Sequence, residues 1–160
     1  HKKTANKNTG VTGLPFLIRF DVLISVLFIK ITLLNTSNRI KIGKPVTPAF
    51  LFAVFLWGAQ NKRFNELNKK KKSRILTMTQ ASEDVISEQT KKVLMPRWLS
   101  DRVKDIWLMQ YQLENYGLKK AQELIGHPRF RMAYDFLVLR SESINPELSK
   151  RARYWTQLQQ

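Results

Sequence analysis

Between Ser100 and Gly117, Val103, Ile106, Trp107, Gln110 and Leu113 recur at three- and four-residue spacings. That spacing gathers them on one face of a helix, and a chain carrying such a stripe must bury it against other elements. Two more stripes follow. Phe130, Ala133, Tyr134, Leu137 and Val138 form one; Leu148, Ala152, Trp155 and Leu158 or Gln159 form the other. No region alternates cleanly with period two, the signature of a half-buried strand. The expected fold is all-α: an irregular bundle of about five to seven helices with a basic surface.

Start and stop signals divide the chain. Thr47 followed by Pro48 supplies a hydroxyl cap and a ring already set for the first helical position. The AFLFAVFLW that follows is apolar on every side, which predicts a buried core helix ending at Gly58. Met78, Ala81, Val85 and Val93 suggest one buried side of a helix over 77–93, with Pro96 terminating it. The next helix is expected from Ser100, closed by Gly117 as a C′ residue at positive φ. LKKAQELI makes a short helix before the Gly126-His127-Pro128 break, and Pro128 suits a first helical turn. Arg129, Arg131 and Arg140 fall largely outside the stripe that follows. Asn145-Pro146-Glu147 is the clearest start: a cap, a proline, and an acid favourable to the helix dipole.

The 160 residues carry 28 Lys and Arg against 12 acids, a formal charge of +16. A balance this basic marks a polyanion partner: RNA, DNA or an acidic membrane surface. There is no cysteine, which excludes disulfide frameworks and thiolate zinc sites and fits a reducing cytosol. His1 and His127 are the only histidines, too few for a histidine metal site. Residues 1–13 are polar and Lys- and Asn-rich, a disordered basic N-terminus by composition. Residues 14–34 read LPFLIRFDVLISVLFIKITLL, close to a membrane span in length but interrupted by Arg19, Asp21 and Lys30. A buried helix or strand-like segment is the stronger reading, and no stable membrane insertion is expected. Residues 61–74, NKRFNELNKKKKSR, are expected to be a solvated Lys-rich loop or frayed helix end.

Catalytic constellations are missing. Asp101 and Asp105 lie one helical turn apart, but Arg102 and Lys104 beside them favour surface ion pairing over a shared metal. Glu83-Asp84 reads as a solvated helix edge, His127 has no nucleophile partner in a motif, and neither a P-loop nor GxGxxG occurs. The chain alone is not expected to be a catalyst. Its plausible work is binding RNA, which needs cations to neutralise phosphates and flat side chains on which bases stack. Three groups of candidates stand out: Lys119 and Lys120; Arg129 and Arg131, beside free helix-start N–H groups; and Lys150, Arg151 and Arg153 next to Tyr154. Arg97 completes the set. Basic residues on an outer helix face are most often simply solvated, so the set carries the reading, not any one member. Trp107 and Trp155 fall in apolar stripes and read as core, whereas Trp98 and Tyr154 are freer to stack.

MPRW at 95–98, KDIWLMQ at 104–110, HPRFRMAYDFLVLR at 127–140 and the closing ARYWTQLQ stand in order, preceded by NTSNRI at 35–40 and KPVTPAFLFAVFLW at 44–57. Together these blocks resemble the C-terminal region of bacterial poly(A) polymerases, nucleotidyltransferases related to the tRNA CCA-adding enzymes that extend RNA 3′ ends with adenylate. The resemblance implies that residues 35–160 are a helical domain that holds the RNA primer in a cytoplasmic enzyme of mRNA polyadenylation and RNA decay. It further implies RNA as partner, with the RNA-degradation machinery beyond it. ATP and Mg²⁺ would belong to a nucleotidyltransferase head whose Gly-Ser turn and Asp-x-Asp do not occur here, so no cofactor is assigned to this chain. The start at His1 and the poor family match of residues 14–34 suggest a fragment severed by truncation or frame disruption. The alternatives are a stand-alone basic helical nucleic-acid-binding module, or a membrane-attached protein anchored by residues 14–34. The resembled family often ends in an Arg-rich tail beyond its final helix, and the residues up to Gln160 do not include one.

Overall fold

The computed structural model describes residues 46–68, 73–115 and 117–160, with single helical positions at Lys30, Leu33, Leu34, Ser37 and Lys41. The expectations for residues 1–13 and for the four lysines at 69–72 lie outside the described residues, as does nearly all of 14–34. Among the described residues there are seven α-helices, one 3₁₀ turn and no strand, so the all-α expectation holds. No helix among them is long and apolar enough to cross a membrane.

Helix α1, Pro48–Phe55, starts as its cap dictates: the Thr47 hydroxyl accepts the Phe50 N–H at 3.3 Å. It ends at Leu56 and not at Gly58. The chain turns there and resumes as α2, Trp57–Asn68, with Gly58 in its first turn beside open space. The break lets Trp57 turn inward, where its ring meets Phe136 edge-on at 5.4 Å. Residues 61–68, expected as part of a Lys-rich loop or a frayed helix end, form the latter part of helix α2. Its buried Gln60 donates to Ser82 Oγ at 3.4 Å, and Arg63 bridges to Asp84 at 2.7 Å and Glu66 at 3.2 Å. Hydrogen bonding from Gln80, then from Arg63, holds the Asp84 carboxyl below the usual carboxylate range.

Helix α3, Arg74–Thr90, both starts and stops earlier than expected. Val93 is exposed beyond its end, and Ile86 takes the buried position instead. Pro96 opens the next helix and terminates nothing: its carbonyl accepts the N–H of Leu99 at 2.9 Å and of Ser100 at 3.1 Å. Helix α4, Arg97–Asn115, buries the whole predicted stripe of Val103, Ile106, Trp107, Gln110 and Leu113. Gly117 has φ −97°, not a positive value, and precedes α5, Leu118–Ile125, as its N-cap. Pro128 stands in the turn before α6, Phe130–Ser143, where Arg129 is the capping position. Asn145 accepts the Glu147 N–H at 3.1 Å, capping a 3₁₀ turn, Pro146–Leu148, that leads into α7, Ser149–Gln157.

Two apolar clusters form the core. One joins α1 and Trp57 to Leu99, Val103, Ile106 and Trp107 of α4 and Phe136 and Leu139 of α6. The other joins Met109 and Leu113 of α4 to α5, Phe130, Ala133 and Leu137 of α6, and Trp155 of α7. Helices α4 and α6 feed both. Each cluster contains a buried indole whose N–H finds a carbonyl on another helix. Trp107 donates to Ala53 O at 2.9 Å, and Trp155 to Leu113 O at 2.8 Å. Replacing Trp107 by Ala removes a fully buried ring and that bond together. The expected cost is about 3–5 kcal/mol in urea unfolding, against about 1–3 kcal/mol for Trp107→Phe, which loses mainly the bond.

Candidate nucleic-acid interface

The first turns of α4 carry an exposed cationic and aromatic surface. The Arg97 side chain is 96% exposed, with Nε 3.8 Å from Asp101. Trp98 is half exposed, and the Arg102 guanidinium lies over its ring at 5.0 Å from the centroid. Trp98, Arg102 and Asp105 share one face by their spacing, covering about 10 Å along the axis. Arg129 reaches that face from the start of α6, its Nε 3.9 Å from Asp105. The separation is an ion-pair distance rather than a hydrogen bond, and the same buried Nε makes no hydrogen bond. The backbone around Arg129 is less open to phosphate than expected. His127 Nδ1 accepts the Arg129 N–H at 3.1 Å, and His127 O accepts the Phe130 N–H at 2.9 Å.

The other candidates divide by burial. Lys119 and Lys120 are exposed on α5, and Lys150 and Arg153 on α7. Arg131 is exposed, 3.3 Å from Asp135 and 5.6 Å from the centre of the Tyr134 ring. Arg151 is half buried: its Nε donates to Leu113 O at 3.1 Å, serving a carbonyl in the last turn of α4. Tyr154 is half buried between Arg151, at 5.2 Å, and Trp155, at 5.3 Å, rather than standing free. Thus Arg102 lies over Trp98 and Arg129 reaches Asp105 two turns further along α4, while Arg151 ties α7 to α4 and Tyr154 packs against the second apolar cluster.

Asp101 lies 3.1 Å from Lys104 and Asp105 lies 3.9 Å from Arg129, surface ion pairing of the kind expected for these two carboxylates. No group of three or more metal-ligating side chains occurs among the described residues.

Sequence reasoning placed Arg140 outside the stripe, and the structure buries it. Its Nη1 donates to Glu114 at 2.6 Å and to Gln110 Oε1 at 3.1 Å, and its guanidinium sits 4.3 Å from the Trp57 ring centre. Burial pushes its pKa down, and the Glu114 charge opposes that; an arginine stays protonated at neutral pH regardless. Its spacing, three residues after Leu137 and seven after Ala133, puts it at the edge of the stripe, but its partners lie on α2 and α4 and have no signal within α6.

With the geometry described, similarity to known proteins can be placed on it. Residues 70–160 match the family described as the polymerase A arginine-rich C-terminus. This chain belongs to that family. The match covers α3 to α7, and with them every candidate residue named above. Poly(A) polymerase I of Salmonella typhimurium is 33% identical over 127 residues, which is 78% of this chain and 27% of that protein. Poly(A) polymerase I of Escherichia coli O157:H7 is 32% identical over the same lengths, and that of Haemophilus influenzae 27% identical over 79% of this chain and 28% of its own. These alignments are longer than the family match, so they extend to residues before 70. The chain spans about a quarter of the length of these polymerases.

Within this family fold, Arg140 is expected to resist single replacement. Arg140→Met leaves Gln110 and Glu114 without their donor and should cost about 3–5 kcal/mol in urea unfolding. Adding Glu114→Gln should recover part of that loss, since the uncompensated carboxylate is then gone.

Proposed function

We propose that this chain is the RNA-holding helical part of a poly(A) polymerase, an enzyme that adds adenylates from ATP to RNA 3′ ends. The observation that carries the reading is the family match over residues 70–160, within which Arg97, Trp98 and Arg102 lie on the first turns of α4 and Arg129 reaches the same helix at Asp105. Cations beside an exposed indole suit a single strand, whose phosphates they neutralise and whose bases the ring stacks. Exposed Lys119, Lys120, Lys150, Arg153 and Arg131 add positive charge on α5, α6 and α7. Arg151 and Tyr154 contribute through packing, with their outer edges open to the strand.

The chemistry lies elsewhere in the complete enzyme. ATP and Mg²⁺ belong to the nucleotidyltransferase head, and this part holds the primer so that its 3′ hydroxyl meets the nucleotide there. The setting is cytoplasmic, in mRNA polyadenylation and RNA decay, with RNA and the RNA-degradation machinery as partners.

Titrating the chain with a fluorescent single-stranded oligoribonucleotide across a salt series tests this reading. Affinity should fall steeply with salt, and Arg129→Ala with Arg131→Ala should shallow the log–log slope by up to about two units. Trp98→Ala should weaken binding about tenfold while leaving the slope unchanged, because stacking releases no counterions. Salt-insensitive binding would overturn the electrostatic reading.

A further inference from the structure

A groove of about 150 Å³ opens where α2, α3, α4 and α6 meet, away from the Trp98 surface. Its floor is Arg140, nine-tenths buried and lying over the Trp57 ring. A guanidinium has five N–H donors. Nη1 is spent on Gln110 and Glu114, but Nε makes no hydrogen bond. Leaving such a donor buried and unused is costly in a fold; Nε itself is closed to solvent, so a ligand would meet the part of the guanidinium that lines the groove.

The walls narrow the ligand's chemistry. Tyr111 and Phe64 present flat apolar surface, and both are partly open. Asn115 lies on the rim; its Nδ2 donates to Tyr111 O at 2.8 Å, which turns its amide oxygen into the available acceptor. Glu114 supplies a second acceptor and is 30% exposed. Arg74, exposed at the start of α3, places a cation on the rim. Flat walls, acceptors beside a donor, and a rim cation together complement a planar heterocycle bearing both donors and acceptors, with an anion attached.

We infer that this groove binds one ribonucleotide, its base stacked at Tyr111, its edge read by Arg140, Glu114 and Asn115, and its phosphate at Arg74. The occupant is a base with an exocyclic amino group, adenine, cytosine or guanine. Uracil offers Glu114 and Asn115 no amino group and is disfavoured. The nucleotide is either free or one unit of an RNA strand. Only the second source rests on the RNA-holding reading above.

The test is a titration of the full chain with AMP, CMP, UMP and inorganic phosphate, followed by NMR or equilibrium dialysis. Saturable binding of AMP and CMP, weaker for UMP, is expected. Tyr111→Ala and Asn115→Ala, at positions that solvent reaches, should each keep the wild-type melting profile. Tyr111→Ala should weaken AMP about tenfold, as loss of a stacking ring does. AMP binding that persists where oligoribonucleotide binding fails would support the groove and remove the RNA-holding reading. Equal binding of all three nucleotides and of phosphate would overturn the groove as a base site, leaving a bare anion site. AMP binding unmoved by both variants would also overturn it.

Discussion

The fold turns on one buried amide. Gln110 is fully enclosed where α4 crosses α6. Its Nε2 donates to Ala133 O at 2.9 Å, and its Oε1 accepts from Arg140 at 3.1 Å. Both partners lie on α6, so the amide fixes that helix at two points along its length. A buried amide stripped of its partners costs more than most apolar contacts give back. Sliding α4 against α6 would strip the amide and the guanidinium together. That registration lets the two helices serve two apolar clusters at once: Trp107 and Phe136 on one side, Leu113 and Leu137 on the other.

What could be read from the sequence was what depends on local spacing. The α4 stripe is buried throughout, and α5 spans the residues its composition marked, because helical periodicity needs only neighbours three and four apart. The Thr47 and Asn145 caps were legible for the same reason: each acts on an N–H two or three residues away. The glycine and proline stops misled. Gly58 and Gly117 were read as endings, yet neither takes a positive φ or meets a close neighbour, so nothing local required the chain to stop there. Pro96 has the residue type of a terminator but sits where a helix begins, a position that suits proline equally.

The placement of the candidate residues was not legible in the sequence. A charge of +16 announces a polyanion without saying which cations meet it. Arg140 was read as falling largely outside the apolar stripe, and its burial depends on Gln110 and Glu114, 30 and 26 residues away. Arg151 follows suit: its carbonyl partner, Leu113, lies 38 residues back. The approach of Arg129 to α4 likewise depends on α6 starting beside Asp105, which no spacing within α4 reveals.

The two surfaces divide the work of recognition by physical type. In the proposed reading, phosphate contacts fall on the exposed cations of α4, where every strand looks alike and salt competes. The groove reads a base edge in a partly dry setting, where donors and acceptors discriminate and salt has little purchase. Its floor is the same Arg140 that locks α6 onto α4. The reading group is therefore held by the core and not by a loop, so it is presented in one geometry before any ligand arrives. Pre-organisation of that kind lowers the ordering cost of binding. It also means that Arg140 itself cannot report on recognition apart from folding; that information resides at Tyr111 and Asn115, on the side of the groove that the core does not use.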